Sequence, residues 1–230
     1  TRIALAAAAL VLVAAFAAPA PVLASSDPVD SYLSTPASGA LYEVPVVIIR
    51  YIPTNDGTNV DSGTAGYSGT IASLVSKIDR MNKQTKFSLE EGTKFRGYKT
   101  PGAAPSLGYR VLALYTFLED IPPGIAAPGG GGSFPDYAAI VARVNGQDWV
   151  NNHGVKEFWM WGYHSGGIVP VESNMSSPTT GDISNSYRHN DLPIYNKTYV
   201  VYNYNFTRLS NEAVHDHGHQ MEATLEYVNQ

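Results

Sequence analysis

The chain has 230 residues, 44% of them hydrophobic and 15% charged, with a net charge of −5 and no cysteine. That length and apolar content are enough for one domain with a buried core, and the acidic balance leaves no basic patch, so nucleic acid is not an expected partner. The lack of thiols excludes disulfides, cysteine nucleophiles and cysteine-ligated zinc, so any metal would have to be held by histidine and carboxylate.

Residues 1–24 read as an export signal. Arg2 is the positive end, residues 3–18 form an Ala/Val/Leu-rich core, and Val22-Leu-Ala24 ahead of Ser25 fits a small-residue cleavage site. The competing reading is a membrane anchor, but about sixteen apolar residues followed by Pro19 and Pro21 fall short of the roughly 20 needed to span a bilayer. The mature protein is therefore expected to be secreted or periplasmic, with no membrane contact after cleavage. The first residue is Thr, and Glu226-Tyr-Val-Asn-Gln230 closes the chain without a turn signal, so a fragment truncated at both ends is expected. Residues 25–40, rich in Ser, Pro, Ala and Gly, read as a disordered mature N-terminus, and residues 41–230 as one α/β domain.

Residues 42–52 are a continuous β-branched run stopped by Pro53-Thr-Asn-Asp-Gly57, which predicts a strand buried on both faces at the centre of a sheet. The loop 54–70 lacks the glycine-lysine pattern that cradles phosphate. Ile71, Leu74, Val75, Ile78 and Met81 recur at helical spacing behind a Thr70 N-cap. Residues 83–105 read as a basic, turn-rich segment whose charges (Lys86, Lys94, Arg96, Lys99) are too scattered for an anion site. Residues 109–118 form a second buried strand. The Pro/Gly-rich stretch 122–133 reads as a flexible loop within the domain, followed by a short helix at 136–144 that ends at Asn145-Gly146.

A third strand covers 155–163, and strands alternating with helices predict a mostly parallel central sheet flanked by helices. Gly162-Tyr-His164-Ser165-Gly-Gly167 has some likeness to the nucleophile elbow of α/β-hydrolases, but the spacing is wrong and no helix follows. Residues 164–197 run without clear periodicity and are dense in Asn, Asp, Arg and His, which reads as a substrate-binding wall. His164, Glu172, Trp161 and Arg188 are its candidate substrate contacts, and Glu172 or His164 is a candidate third metal ligand or acid/base. Glu157 reads as a surface carboxylate at a strand edge. The last strand, 198–206, runs directly into the stretch with most of the chemistry. The three Asn-x-Ser/Thr sites at Asn174, Asn196 and Asn205 are incidental behind a bacterial-looking leader.

Three of the six histidines lie in residues 215–219. On a helix at about 100° per residue, Glu212, His215, His219, Glu222 and Glu226 fall within an arc of about 80°, while Val214, Met221, Leu225 and Val228 gather on the far side. Two imidazoles four residues apart bring their nitrogens to one point, as zinc enzymes require. Three other readings stand beside this one. The polar stripe is simply solvated, with His217 near the apolar side; Glu212-x-x-His215 belongs to a di-metal helix bundle whose partner motif the chain lacks; or His215-x-His217-x-His219 is a strand, against the helical apolar period.

The segment His215-Asp-His-Gly-His219 resembles the zincin metallopeptidases, whose motif is H-E-x-x-H. The resemblance implies His215 and His219 as zinc ligands, with Asp216 where the family's glutamate acts as general base, and a third ligand that commonly lies downstream. Asp is one methylene shorter than that glutamate, so Asp216 or Glu222 is taken as the group that orients or deprotonates a metal-activated water. Beyond the motif, the blocks Val171-Glu-Ser-Asn-Met175 and 212–222 resemble an uncharacterised family of secreted bacterial proteins, which implies export and a single domain and leaves the chemistry open. The expected function is a secreted zinc-dependent, peptidase-like hydrolase acting on a peptide or polysaccharide. The rival reading is a non-catalytic extracellular module that binds glycan or cell wall through its Tyr and Trp rings.

Overall fold

A computed structural model describes residues 26–94, 99–169, 171–184 and 192–229. The central strand β1 (Tyr42–Tyr51) is buried from Val46 onward on both faces, as its unbroken β-branched run predicts. It lies between β2 (Leu107–Phe117) and β5 (Glu157–Gly162), and β7 (Tyr199–Asn205) follows on the far side of β5. These four strands are parallel, and β6 (Ser173–Ser176) closes the edge antiparallel to β7, giving the order β2-β1-β5-β7-β6. The result is a single α/β domain with a mostly parallel sheet. No helix among the described residues is long and apolar enough to cross a membrane.

Helix α3 (Ile71–Gly92) starts at Thr70, whose side chain accepts from Ser73 N–H, and buries Leu74, Ile78 and Met81. It runs ten residues past the stretch that the periodicity predicts, so the segment from Lys83 is helix where turns were expected. The reason is a buried i,i+4 pair. Lys86 Nζ lies 2.6 Å from Glu90 Oε1, and the same oxygen accepts from the backbone N–H groups of Tyr109 and Ala37. The ammonium also sits 4.6 Å from the centre of the Tyr32 ring.

The expectation of disorder at 25–40 is corrected over the described part of that stretch. Asp30 caps the short helix α1 (Ser31–Ser34), Leu33 is buried, and Asp27 pairs with Leu114 on the edge of β2 while its carboxylate meets Arg50. Apolar and ionic anchors outweigh a loop-like composition here. Two further segments expected to be loop contain strand: β3 (Pro123–Ala126) pairs with β4 (Ser133–Pro135), and β6 lies inside the predicted wall. Both are too short to show a period of two.

Between β2 and β5, Asp136 caps α4 (Tyr137–Arg143), and Asn145, in the left-handed conformation, starts α5 (Gly146–Asn151). The chain moves from β1 outward to β2 and then back across β1 to β5. Right-handed crossovers therefore put α3 on one face of the sheet and α4–α5 on the other. The final helix α6 (Ser210–Val228) packs beside α3 and over β7 and β6.

Helix α6 does not bury the stripe that its pattern predicts. Met221, Leu225 and Val228 are 61%, 54% and 72% exposed, whereas Ala213, Asp216, His217 and Gln220 are buried. The sheet beneath and the segment after β6 explain this, because they present polar atoms. Ser173 Oγ donates to Gln220 Oε1 at 2.7 Å, Gln220 Nε2 donates to the Ile183 carbonyl at 3.0 Å, and Tyr204 Oη lies 2.6 Å from His217 Nε2. A polar helix face that finds hydrogen-bond partners inside can displace an apolar one.

Candidate functional site

His215 and His219 sit one turn apart on the flank of α6, between its buried face and solvent. Their Nε2 atoms are 2.8 Å apart and the rings are steeply inclined at 81°. Glu172 comes from the residue just before β6, whose backbone carbonyl accepts from Asn203 N–H at 3.1 Å and so fixes it over the same spot. Its Oε2 is 3.9 Å from His219 Nε2, and one ligand atom from each of Glu172, His215 and His219 lies within 4.8 Å of the others. Glu222 completes the arrangement from the next turn, with Oε2 3.0 Å from His219 Nδ1.

That last contact has a chemical consequence. A carboxylate at Nδ1 holds the proton there and leaves the Nε2 lone pair aimed at the shared point. With that tautomer, His219 Nε2 is the acceptor and His215 Nε2 the donor across their 2.8 Å contact. A metal held by both rings would take one nitrogen from each, at a wider separation than their present 2.8 Å. His215 is exposed and His219 is half-buried. Two imidazoles and one carboxylate are also the donor set of a catalytic zinc, which keeps a fourth position open.

The remaining expected residues divide. Asp216 is on the buried face of α6, and burial, followed by the carboxylates of Glu172 and Glu212, pushes it up to about 8 against the pull of Arg208. Glu222 Oε2 is 3.0 Å from His219 Nδ1. His164 lies beside Asn203, to which it hydrogen bonds, and burial and then Arg208 push it down to about 4. It is not in the ligand cluster, and its Nε2 has no hydrogen-bond partner among the described residues. Trp161 is a core residue, contrary to expectation: it is fully buried, and its Nε1 donates to Asn82 Oδ1 at 2.6 Å on α3. Arg188 lies outside the described residues. Ser165 donates to the Thr64 carbonyl at 2.7 Å, which leaves no elbow geometry.

A second polar cluster was missed. Glu157 is not a surface carboxylate: strand alternation puts Glu157, Trp159 and Trp161 on the face covered by α3 and α6. Trp159 Nε1 donates to Glu157 Oε2 at 2.8 Å, and His217 Nε2 is 3.9 Å from that same oxygen. The His217 ring stacks on Tyr202 at 3.8 Å and meets Tyr109 and Trp159 edge-on. Burial pushes Glu157 up to about 7 and His217 down to about 3. A glutamate two residues from a core tryptophan in a strand was the available signal.

No family model matches the chain, and neither a curated protein nor a solved structure does. The sites therefore stand on their own chemistry.

Proposed function

We propose that this protein is an exported metal-dependent hydrolase, peptidase-like in its chemistry, with zinc held by His215, His219 and Glu172. The observation that carries this reading is the convergence of two imidazole nitrogens and a carboxylate oxygen from separate elements on one point, with one imidazole already oriented by Glu222. Bound zinc supplies a Lewis acid and lowers the pKa of water toward neutrality. His215 and His219 supply neutral nitrogen donors, Glu172 offsets part of the ion's charge, and Asp216, adjacent in sequence to His215, is the candidate for proton transfer. The rival glycan-binding module draws less support, because Trp159, Trp161, Tyr51, Tyr163, Tyr199 and Tyr204 are all in the core, and the exposed rings of Tyr32, Tyr42 and Tyr227 belong to three separate elements, α1, β1 and α6.

The test is metal content and peptidase activity of purified protein. One zinc per chain is expected, lost in His215→Ala, His219→Ala and Glu172→Ala, with peptide hydrolysis lost in parallel and in Asp216→Asn without loss of metal. Protein that binds no zinc, or that keeps it in the histidine variants, removes the proposal.

A further inference from the structure

Between the end of α3 and the middle of α6, above the first residues of β2 and β5, is a cavity of about 460 Å³. Its walls are mostly apolar, from Leu89, Leu107, Tyr109, Val214 and Met221, and its polar floor includes Glu157. This size is in the range of sites that enclose small organic molecules. It is separate from the ligand cluster, because none of Glu172, His215 or His219 lines it.

Two features mark it as more than a packing defect. Gly218, mid-helix in α6, lines the cavity, and a Cβ placed there meets nothing within 4 Å. Glycine inside a helix costs about 1 kcal/mol relative to alanine, no neighbour demands it here, and a side chain longer than a methyl group at this position would extend into free space at the cavity wall. The second feature is Glu157. Its Oε2 accepts from Trp159 Nε1 and lies 3.9 Å from Nε2 of His217, an imidazole that burial pushes down to about 3, and no lysine or arginine of the described residues forms an ion pair with it. The buried ammonium of Lys86 is paired with Glu90. A carboxyl group in an apolar cavity without a countercharge is costly to ionise, and a ligand that brings the missing cation relieves that cost.

We propose that this cavity binds a small organic ammonium ion with an apolar body, its charged nitrogen against Glu157 and its hydrocarbon between Leu89, Leu107 and Val214. The Tyr109 ring beside Glu157 adds an aromatic wall suited to a cation. A carboxylate ligand is disfavoured by Glu157, and an alcohol fills the same space without satisfying its charge.

The experiment is calorimetric titration at pH 8 with n-hexylamine, n-hexanol and hexanoate as probes. Wild-type protein is expected to bind hexylammonium at least tenfold more tightly than hexanol and not to bind hexanoate. Glu157→Gln is expected to remove the preference for the amine while leaving hexanol affinity unchanged, and Gly218→Leu to abolish binding of both. The His215→Ala/His219→Ala double variant is expected to bind the amine as the wild type does. No amine binding in the wild type, equal affinity for amine and alcohol, or a preference retained in Glu157→Gln overturns the assignment. Loss of amine binding in the folded double-histidine variant also overturns it, since the ligand would then occupy the other site.

Discussion

His219 is held at both ends of its ring, Nδ1 by Glu222 and Nε2 by the nitrogen of His215, and this is where sequence spacing and three-dimensional chemistry agree most closely. The i, i+4 spacing was legible because a helical turn brings those positions together whatever surrounds the helix. Glu222, three residues beyond His219, was legible as a neighbour of that ring, and its contact with Nδ1 is what the structure adds. Glu222→Ala is expected to leave the fold intact and weaken zinc affinity by roughly 10–100-fold, the usual effect of losing the group that orients a histidine ligand. Competition with a zinc-sensitive dye measures this, and unchanged affinity would show that the carboxylate does not orient the ring. Glu172 was one of two options for the third donor. Glu172, placed by β6 against β7, falls within 4.8 Å of both histidines, whereas His164 is outside that cluster and hydrogen bonds to Asn203.

Helix α6 shows how a periodic pattern can be correct about the element and wrong about its orientation. Its helical character follows from the 3.6-residue recurrence, but the face it buries was set by the hydrogen-bonding groups of the sheet below. Leu225→Lys is therefore expected to change stability by no more than about 0.5 kcal/mol, as for an ordinary surface position. Gln220→Ala is expected to cost about 1–3 kcal/mol, because it removes the buried hydrogen bonds to Ser173 Oγ and the Ile183 carbonyl. Chemical denaturation of the two variants decides between the orientations, and the opposite ranking would mean that the apolar stripe is the buried one. Helix α3 gives the complementary lesson. Its last ten residues looked basic and turn-like, since a lysine and a glutamate four apart do not announce in sequence that they will be buried together.

For the molecule as a whole, the parallel sheet and its alternating helices followed from the order of apolar runs, but the electrostatic character of the interior did not. Glu157, raised by burial from 4.5 to about 7, binds its proton more tightly in the folded chain than in the unfolded one. Its contribution to stability is thus fully present below about pH 4.5 and is lost as the pH rises through about 7. In the absence of a bound cation, Glu157→Gln is expected to lack this dependence and to be more stable than the wild type at pH 8 by about 3 kcal/mol, from 2.5 pKa units at about 1.36 kcal/mol each. Paired denaturation curves at pH 4 and pH 8 test this, and an equal difference between the two proteins at both values would show that Glu157 is not desolvated.

Local pattern was enough for the existence and kind of the long elements, and for the meeting of two imidazoles on one of them, because both depend only on backbone periodicity. Which helix face turns inward, which carboxylate joins the histidines, and the setting of Glu157 beneath an open cavity were decided by tertiary packing. Those outcomes depend on polar atoms contributed by strands far away in the chain, and no local period encodes where such partners will stand.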